Sequence, residues 1–170
     1  MKKQHCLITM LLLIVLFTSN VLGGSKEEFV KEAIKEARVV KDKYGIPISA
    51  TVAQSIYESN YGKSPLAVKY HNYHGIKVGE KKYKGDRASV KVKEQGKYIV
   101  ADFRAYDSMR DGFLGYASFL SRPRYKAAFG THDGLSFVKT ILRCGFCPDS
   151  QYLNDIKRIM DRHNLRKLDS

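Results

Sequence analysis

Val52-Ala53-Gln54-Ser55-Ile56-Tyr57-Glu58-Ser59-Asn60-Tyr61-Gly62-Lys63-Ser64 is the stretch that decides the fold. Its apolar residues Val52, Ala53, Ile56 and Tyr57 recur at helical spacing. Ser49 stands ahead of them as a cap, and Gly62 breaks the helix behind them. Glu58 therefore lies near the C-terminal end of a helix, between Tyr57 and Tyr61. The partial negative charge of a helix C-terminus opposes ionisation of a carboxyl placed there, and partial burial against the two rings pushes the same way. A carboxyl kept protonated near neutral pH is equipped to act as a general acid. On spacing alone, however, one glutamate at a helix end is more often an ordinary solvated side chain.

Upstream, Phe29, Ala33, Ala37, Val40 and Tyr44 draw one apolar stripe down a helix from residue 26, and Gly45 and Pro47 end it. Downstream the pattern changes. Val90 and Val92 alternate, Gln95-Gly96 makes a tight turn, and residues 98–103 alternate again, which predicts a β-hairpin. Ser108 followed by Asp111 resembles a capping box and opens a helix with Phe113, Tyr116, Ala117 and Leu120 on one side. Pro123 stops that helix. Another fits 134–143 with Asp133 as its cap, and a last fits 151–163, capped by Asp149 or Ser150. The order of helices, one hairpin, then helices predicts an α+β class, mainly helical. No internal repeat, low-complexity tract or Pro/Ser-rich linker breaks this pattern, so one domain is expected over 26–168.

Residues 1–24 have the order of a secretory signal peptide. Lys2 and Lys3 precede an apolar run over 7–17, and Gly23, Gly24 and Ser25 supply the small residues. The run is shorter than the ~20 residues of a membrane span, and Cys6 precedes it, which argues against a lipid-modified cysteine. An exported protein is expected, in the periplasm, the cell envelope or outside the cell, with no stable membrane insertion after the leader is removed. Lys plus Arg number 30 against 17 Asp plus Glu, and loss of Lys2 and Lys3 leaves 28 against 17, a net charge of +11. An anionic partner follows. Wall polymer or a membrane surface fits an exported chain better than nucleic acid.

Cys144-Gly145-Phe146-Cys147 has the spacing of a redox pair, but it follows a helix near the C-terminal end instead of a strand. A local disulfide and two free thiols are both open. His71 and His74 lie three residues apart without a third ligand at zinc-site spacing, because His132 and His163 stand alone, so neither a metal nor a cofactor is expected. Gly75, Gly79 and Gly85 form no phosphate-binding pattern.

The stretch quoted above resembles the catalytic helix of bacterial glucosaminidase domains, those of autolysins and flagellar peptidoglycan hydrolases grouped as glycoside hydrolase family 73. The family pattern Ala-Gln-x-x-x-Glu-Ser-x-aromatic-Gly is met by residues 53–62. Asn72-Tyr73-His74-Gly75-Ile76-Lys77 is similar to the family's Asn-x-aromatic-Gly-Ile-Lys, with histidine in the aromatic position. Phe103-Arg104-Ala105-Tyr106-Asp107-Ser108, the helix after it and Arg124-Tyr125 follow in the family order. The resemblance covers about 27–165, nearly all of the expected mature chain. It implies a lysozyme-like fold with one small hairpin lobe, a substrate groove between the helices and that hairpin, and Glu58 as the acid that protonates a glycosidic oxygen. The implied substrate is the glycan strand of peptidoglycan, and a monomer is expected.

The resemblance also implies a second carboxylate on the hairpin, as base or as stabiliser of the positive charge developing on the sugar. Glu94 is the best match and Glu80 and Asp86 are alternatives; failing these, the N-acetyl group of the substrate can assist. Tyr125 matches a cleft tyrosine of the family that orients water or the N-acetyl group, or else it is a packing residue. Tyr61, Tyr73 and Tyr106 offer aromatic faces for sugar rings. Asn72 either binds sugar or holds its loop, and His74 either lines or packs the cleft. The expected reaction is cleavage of the β-1,4 bond after N-acetylglucosamine. The alternatives are a muramidase or lytic transglycosylase of the same fold, a non-catalytic wall-binding domain, and a basic membrane or nucleic-acid binder supported by charge alone.

Overall fold

The computed structural model describes residues 25–79, 83–94 and 97–170, and at 93, 94 and 97 the backbone only. The expected leader, Glu80 and the Gln95-Gly96 turn lie outside the described residues. The order is α1 (Lys26–Tyr44), α2 (Ile48–Ser59), α3 (Pro65–Tyr70), β1 (Arg87–Glu94), β2 (Lys97–Arg104), α4 (Met109–Leu120), a 3-10 helix (Pro123–Ala128), α5 (Gly134–Arg143), α6 (Tyr152–Arg162) and a terminal 3-10 turn (Leu165–Leu168). This is the mainly helical α+β arrangement that the sequence predicts.

Helix α2 is the axis of the helical lobe. Ile48 to Ile56 are all buried, and Ser59 with them. A helix with no solvent face can only stand in the middle of others, and α1, α5, α6 and the terminal 3-10 turn all pack on it. Its buried polar side chains are satisfied, as burial demands: Thr51 donates to the Pro47 carbonyl, Ser55 to Val52 and Ser59 to Ser55.

Ser49 does not cap α2 through its own side chain, as expected from sequence. The N-cap is Pro47, which offers no side-chain acceptor. The orphan donors go to Asp169 instead: the Ser49 N–H donates to Oδ1 at 2.9 Å and the Ser49 hydroxyl to Oδ2 at 2.6 Å. The same Oδ2 accepts from the Gly134 N–H at 3.0 Å, the first residue of α5. One carboxylate thus satisfies the starts of two helices. Gly134 is obligatory there, because a Cβ would lie 2.0 Å from the Ser49 hydroxyl and 2.8 Å from the Ala50 nitrogen.

At its other end α2 stops through three consecutive left-handed residues, Asn60, Tyr61 and Gly62, with φ of 49°, 57° and 74°. Asparagine and glycine suit that region and tyrosine does not. Gly62 is also sterically fixed, since a Cβ would stand 2.8 Å from the Phe29 ring. The chain then enters α3, which the sequence reading missed although Ser64-Pro65 carries its signal: the Ser64 hydroxyl accepts from the Ala67 N–H, and proline occupies the first turn.

The hairpin pairs β1 with β2 in antiparallel register from Arg87 opposite Arg104 to Glu94 opposite Lys97, as the alternation predicts. Its base is tied to the helical lobe. The Val78 N–H donates to Asp102 and the Arg104 N–H to Ile76, and Lys77 bridges Phe103, so residues 76–78 run along the free side of β2. Ala88, Phe103, Ile76 and Val78 bury there. Further out, Tyr98, Ile99 and Val100 are exposed.

The later helices match expectation closely. Asp133 caps α5, and the Ser108 hydroxyl accepts from the Asp111 N–H at the start of α4. Helix α6 begins one residue later than expected, with Gln151 as N-cap and Asp149 accepting the Gln151 N–H.

Candidate active site

Glu58 occupies the last turn of α2, half-buried. Burial raises its pKa above the ordinary glutamate range, and a hydrogen bond from Tyr152 offsets part of that rise. The Tyr152 hydroxyl donates to Oε1 at 2.9 Å. Gly75 lies on the side of the second oxygen, where a Cβ would come within 3.7 Å of Oε2. Among the described residues Oε2 has no hydrogen-bond partner. The carboxyl therefore has one oxygen fixed by the protein and one left for chemistry.

Tyr152 is the residue that sequence reasoning missed. It opens α6, 94 positions from Glu58, and nothing local marks it beyond a tyrosine just inside a helix start. Burial and the charge of Glu58 push its hydroxyl well above the usual tyrosine range, so it stays a donor. Behind it lie Gln54, whose Nε2 donates to the Tyr152 oxygen at 3.1 Å, and Tyr116, whose hydroxyl donates to Gln54 Oε1 at 2.5 Å. Tyr57 meets the Tyr152 ring edge to face at 5.0 Å. Its own hydroxyl is raised first by burial and then by the charges of Asp155, Asp149 and Glu58.

His74 is 3% exposed and stacks on Tyr116 with ring centroids 3.9 Å apart. Its Nε2 faces the Thr51 carbonyl at 3.3 Å, and a carbonyl only accepts, so Nε2 carries the proton. Burial lowers its pKa to about 3, and among the described residues the bare Nδ1 is buried without a partner. His74 is thus a neutral packing plate. Asn72 holds its loop: Nδ2 donates to the Ile76 and Arg104 carbonyls at 2.9 and 2.8 Å, and Oδ1 accepts the Ile76 N–H.

The other sequence candidates have packing partners of their own. Tyr61 and Tyr73 both lean on Phe29, and the Tyr61 hydroxyl meets His163 Nε2 at 2.9 Å. Tyr106 packs over Gly115, with a buried hydroxyl that burial pushes up to about 12. Tyr125 is 2% exposed, between Phe119 and Phe146. Asp86 is exposed, and its backbone carbonyl accepts from the Ala105 N–H. Glu94 pairs opposite Lys97 through its backbone, while its side chain lies outside the described residues. Cys144 and Cys147 are free and half-buried, and Phe146 between them packs on Tyr152 with centroids 6.0 Å apart.

Residues 34–165 match the Glucosaminidase family, described as mannosyl-glycoprotein endo-beta-N-acetylglucosaminidase. The exo-glucosaminidase LytG of Bacillus subtilis (strain 168) is 26% identical over 154 residues, which is 85% of this chain and 54% of that protein. A probable N-acetylmuramidase of Lactococcus lactis subsp. lactis (strain IL1403) is 30% identical over 158 residues, 86% of this chain and 35% of that protein. The chain thus spans about half of the first relative and about a third of the second. Among solved structures, that of a peptidoglycan hydrolase from Sphingomonas sp. A1 is similar with a TM-score of 0.72 at 28% identity, over 84% of this chain and 92% of that one. The lysozyme-like fold expected from the sequence is the fold shared with that structure. With a match over most of its length and the family's Ala-Gln-x-x-x-Glu-Ser segment lying in the buried helix that carries Glu58 in its last turn, the chain belongs to the glucosaminidase family of glycoside hydrolases.

Proposed function

We propose that the protein is an exported peptidoglycan hydrolase, with a leader over 1–24 and a catalytic domain over 26–168, that cleaves the β-1,4 bond after N-acetylglucosamine in the glycan strand. The observation that carries the reading is the Glu58 carboxyl: half-buried at a helix C-terminus, raised in pKa, with Oε1 engaged by Tyr152 and Oε2 beside Gly75. In this reading Oε2 holds the proton and gives it to the glycosidic oxygen as the bond from that oxygen to C1 breaks. The bonding electron pair leaves with the oxygen, and water adds at C1 and gives up a proton. The positive charge on the sugar is met either by a hairpin carboxylate, with Glu94 as the sequence match, or by the substrate's own N-acetyl group. The glycan lies between the helical lobe and the hairpin. The leader pattern supports action in the periplasm, in the cell envelope or outside the cell.

A second reading is cleavage on the muramic-acid side, supported by the similarity to a protein named as a probable N-acetylmuramidase. Digestion of purified peptidoglycan by the mature protein, followed by mass spectrometry of the new reducing ends, separates the two. Reducing-end N-acetylglucosamine is expected; reducing-end or anhydro muramic acid overturns the first reading in favour of the second. Glu58→Gln is expected to release nothing, and undiminished release by that variant removes Glu58 from the mechanism.

A further inference from the structure

We infer that Gln54 and Tyr116 are positioning residues that fix the direction of the Tyr152–Glu58 hydrogen bond and so confine the acid's proton to Oε2. This rests on the reading of Glu58 as the general acid.

The chain runs Tyr116 hydroxyl to Gln54 Oε1 at 2.5 Å, Gln54 Nε2 to Tyr152 hydroxyl at 3.1 Å, and Tyr152 hydroxyl to Glu58 Oε1 at 2.9 Å. Every interior member is buried. Two hydroxyls and an amide can in principle be polarised either way, since a hydroxyl both donates and accepts and an amide can turn over. In the reverse direction Glu58 Oε1 would carry the proton and donate to Tyr152, Tyr152 would donate to Gln54, and Gln54 would donate to Tyr116. The Tyr116 hydroxyl proton would then be left over, and among the described residues Gln54 is its only hydrogen-bond partner. A buried donor with no acceptor is expensive, whereas an acceptor left with a spare lone pair is cheap. The far end of the chain therefore sets the direction of the near end.

Two features hold Tyr116 to that role. The neutral His74 ring stacks on it at 3.9 Å and 14° and is itself pinned to the Thr51 carbonyl. Burial and the charge of Glu58 keep the Tyr116 hydroxyl protonated across the accessible pH range. Gln54 suits the middle position because its amide accepts on one side and donates on the other without charge.

With this direction Oε1 always accepts, so the proton of the neutral acid resides on Oε2, beside Gly75. The same bond stabilises the carboxylate after it has given the proton away. Among the described residues, the titratable groups coupled to Glu58 are Tyr57 on its own helix, Tyr116 on α4, Tyr152 on α6 and Cys147 in the segment before α6. All four are neutral at pH 7, so the hydrogen bond is the adjustable influence.

The test reads the Glu58 carboxyl directly, by carbon-13 NMR titration of the full mature chain, beside the pH dependence of kcat/KM. Tyr116→Phe and Gln54→Met each allow or force the loss of the donated bond. In both, the Glu58 pKa is expected to rise by about half a unit or more, the alkaline limb of kcat/KM to move up with it, and kcat to fall by about tenfold with KM little changed. Tyr152→Phe is expected to give the same shift. In the Tyr152→Phe background neither second change is expected to move the pKa further, because all act through one bond. A Glu58 titration unmoved by Tyr116→Phe, or shifts that add in the double variants, overturns the inference. Tyr116→Phe removes one oxygen and keeps the packing, so it remains informative if Gln54→Met does not fold. Because the titration needs no turnover, an inactive protein with the expected shifts sinks the catalytic reading and leaves the hydrogen-bond direction standing.

Discussion

The two walls of the proposed groove, the helical lobe and the hairpin, are built on opposite principles. On the helical side, α2 is buried from Ile48 to Ile56, and the Glu58 carboxyl at its end is held by a hydroxyl with two further residues behind it. On the hairpin side, among the described residues, Asn72 and the 76–78 segment anchor the base, while Tyr98 and Val100 are 68% and 71% exposed. Regions with few buried contacts open at low cost, and regions deep in the core open only with the whole fold. The Glu58 carboxyl is therefore firmly held, and the hairpin is the wall that can move.

The largest effect expected from breaking this contrast is at Glu58 itself. Glu58→Gln should lower the rate of peptidoglycan solubilisation by at least ~100-fold, the range for loss of a general acid, with circular dichroism unchanged. The same variant sharpens the electrostatic side. Burial raises the folded-state pKa of Glu58, so ionisation is harder in the folded chain. Its contribution is most favourable below the unfolded value and is lost as pH rises from there through the folded one. Wild type should therefore lose stability relative to Glu58→Gln across that window, and equal melting temperatures of the two proteins at pH 4 and pH 8 would contradict it.

Next come the changes that loosen the helical wall without touching the acid. Asp169→Ala removes the acceptor for the starts of α2 and α5 and is expected to cost about 2 kcal/mol, two capping contributions of ~1 kcal/mol each. Gly134→Ala forces a side chain into a 2.0 Å approach and should cost about 1–3 kcal/mol, the range for overpacking. Denaturant melts check both. Among tyrosines, Tyr152→Phe should reduce kcat more than Tyr125→Phe, because only the Tyr152 hydroxyl bonds the acid.

The smallest effect on stability belongs to the hairpin. Tyr98→Ser and Val100→Thr lie on exposed surface and should change stability by under ~0.5 kcal/mol. If the glycan rests there, KM rises while kcat holds. A fall in melting temperature comparable to that of Asp169→Ala would show that the two walls are less different than their packing indicates.

What the sequence made legible was local. The position of Glu58 at a helix end, the register of the hairpin and the caps at Ser108 and Asp133 each follow from residues within a few positions of one another. What escaped was set by distance along the chain. Ser49 reads as a cap, yet its hydroxyl is a donor to a carboxylate 120 positions away. Tyr125 and Tyr152 are both tyrosines beside apolar helices, and only the folded chain tells which one meets Glu58. Asn72 and His74 each admit two readings from sequence, and the contacts they make come from other elements: the Arg104 carbonyl for one and the Tyr116 ring for the other.

The Asp169 clamp also orders events in time. The start of the helix that carries Glu58 cannot be capped until a residue made 120 positions later is available. Contacts of such long sequence separation form late, because the loop they close must be gathered first. In a chain made from its N-terminus, the segment bearing Glu58 is thus present well before it can settle. The start of α2 is completed only once residue 169 has arrived.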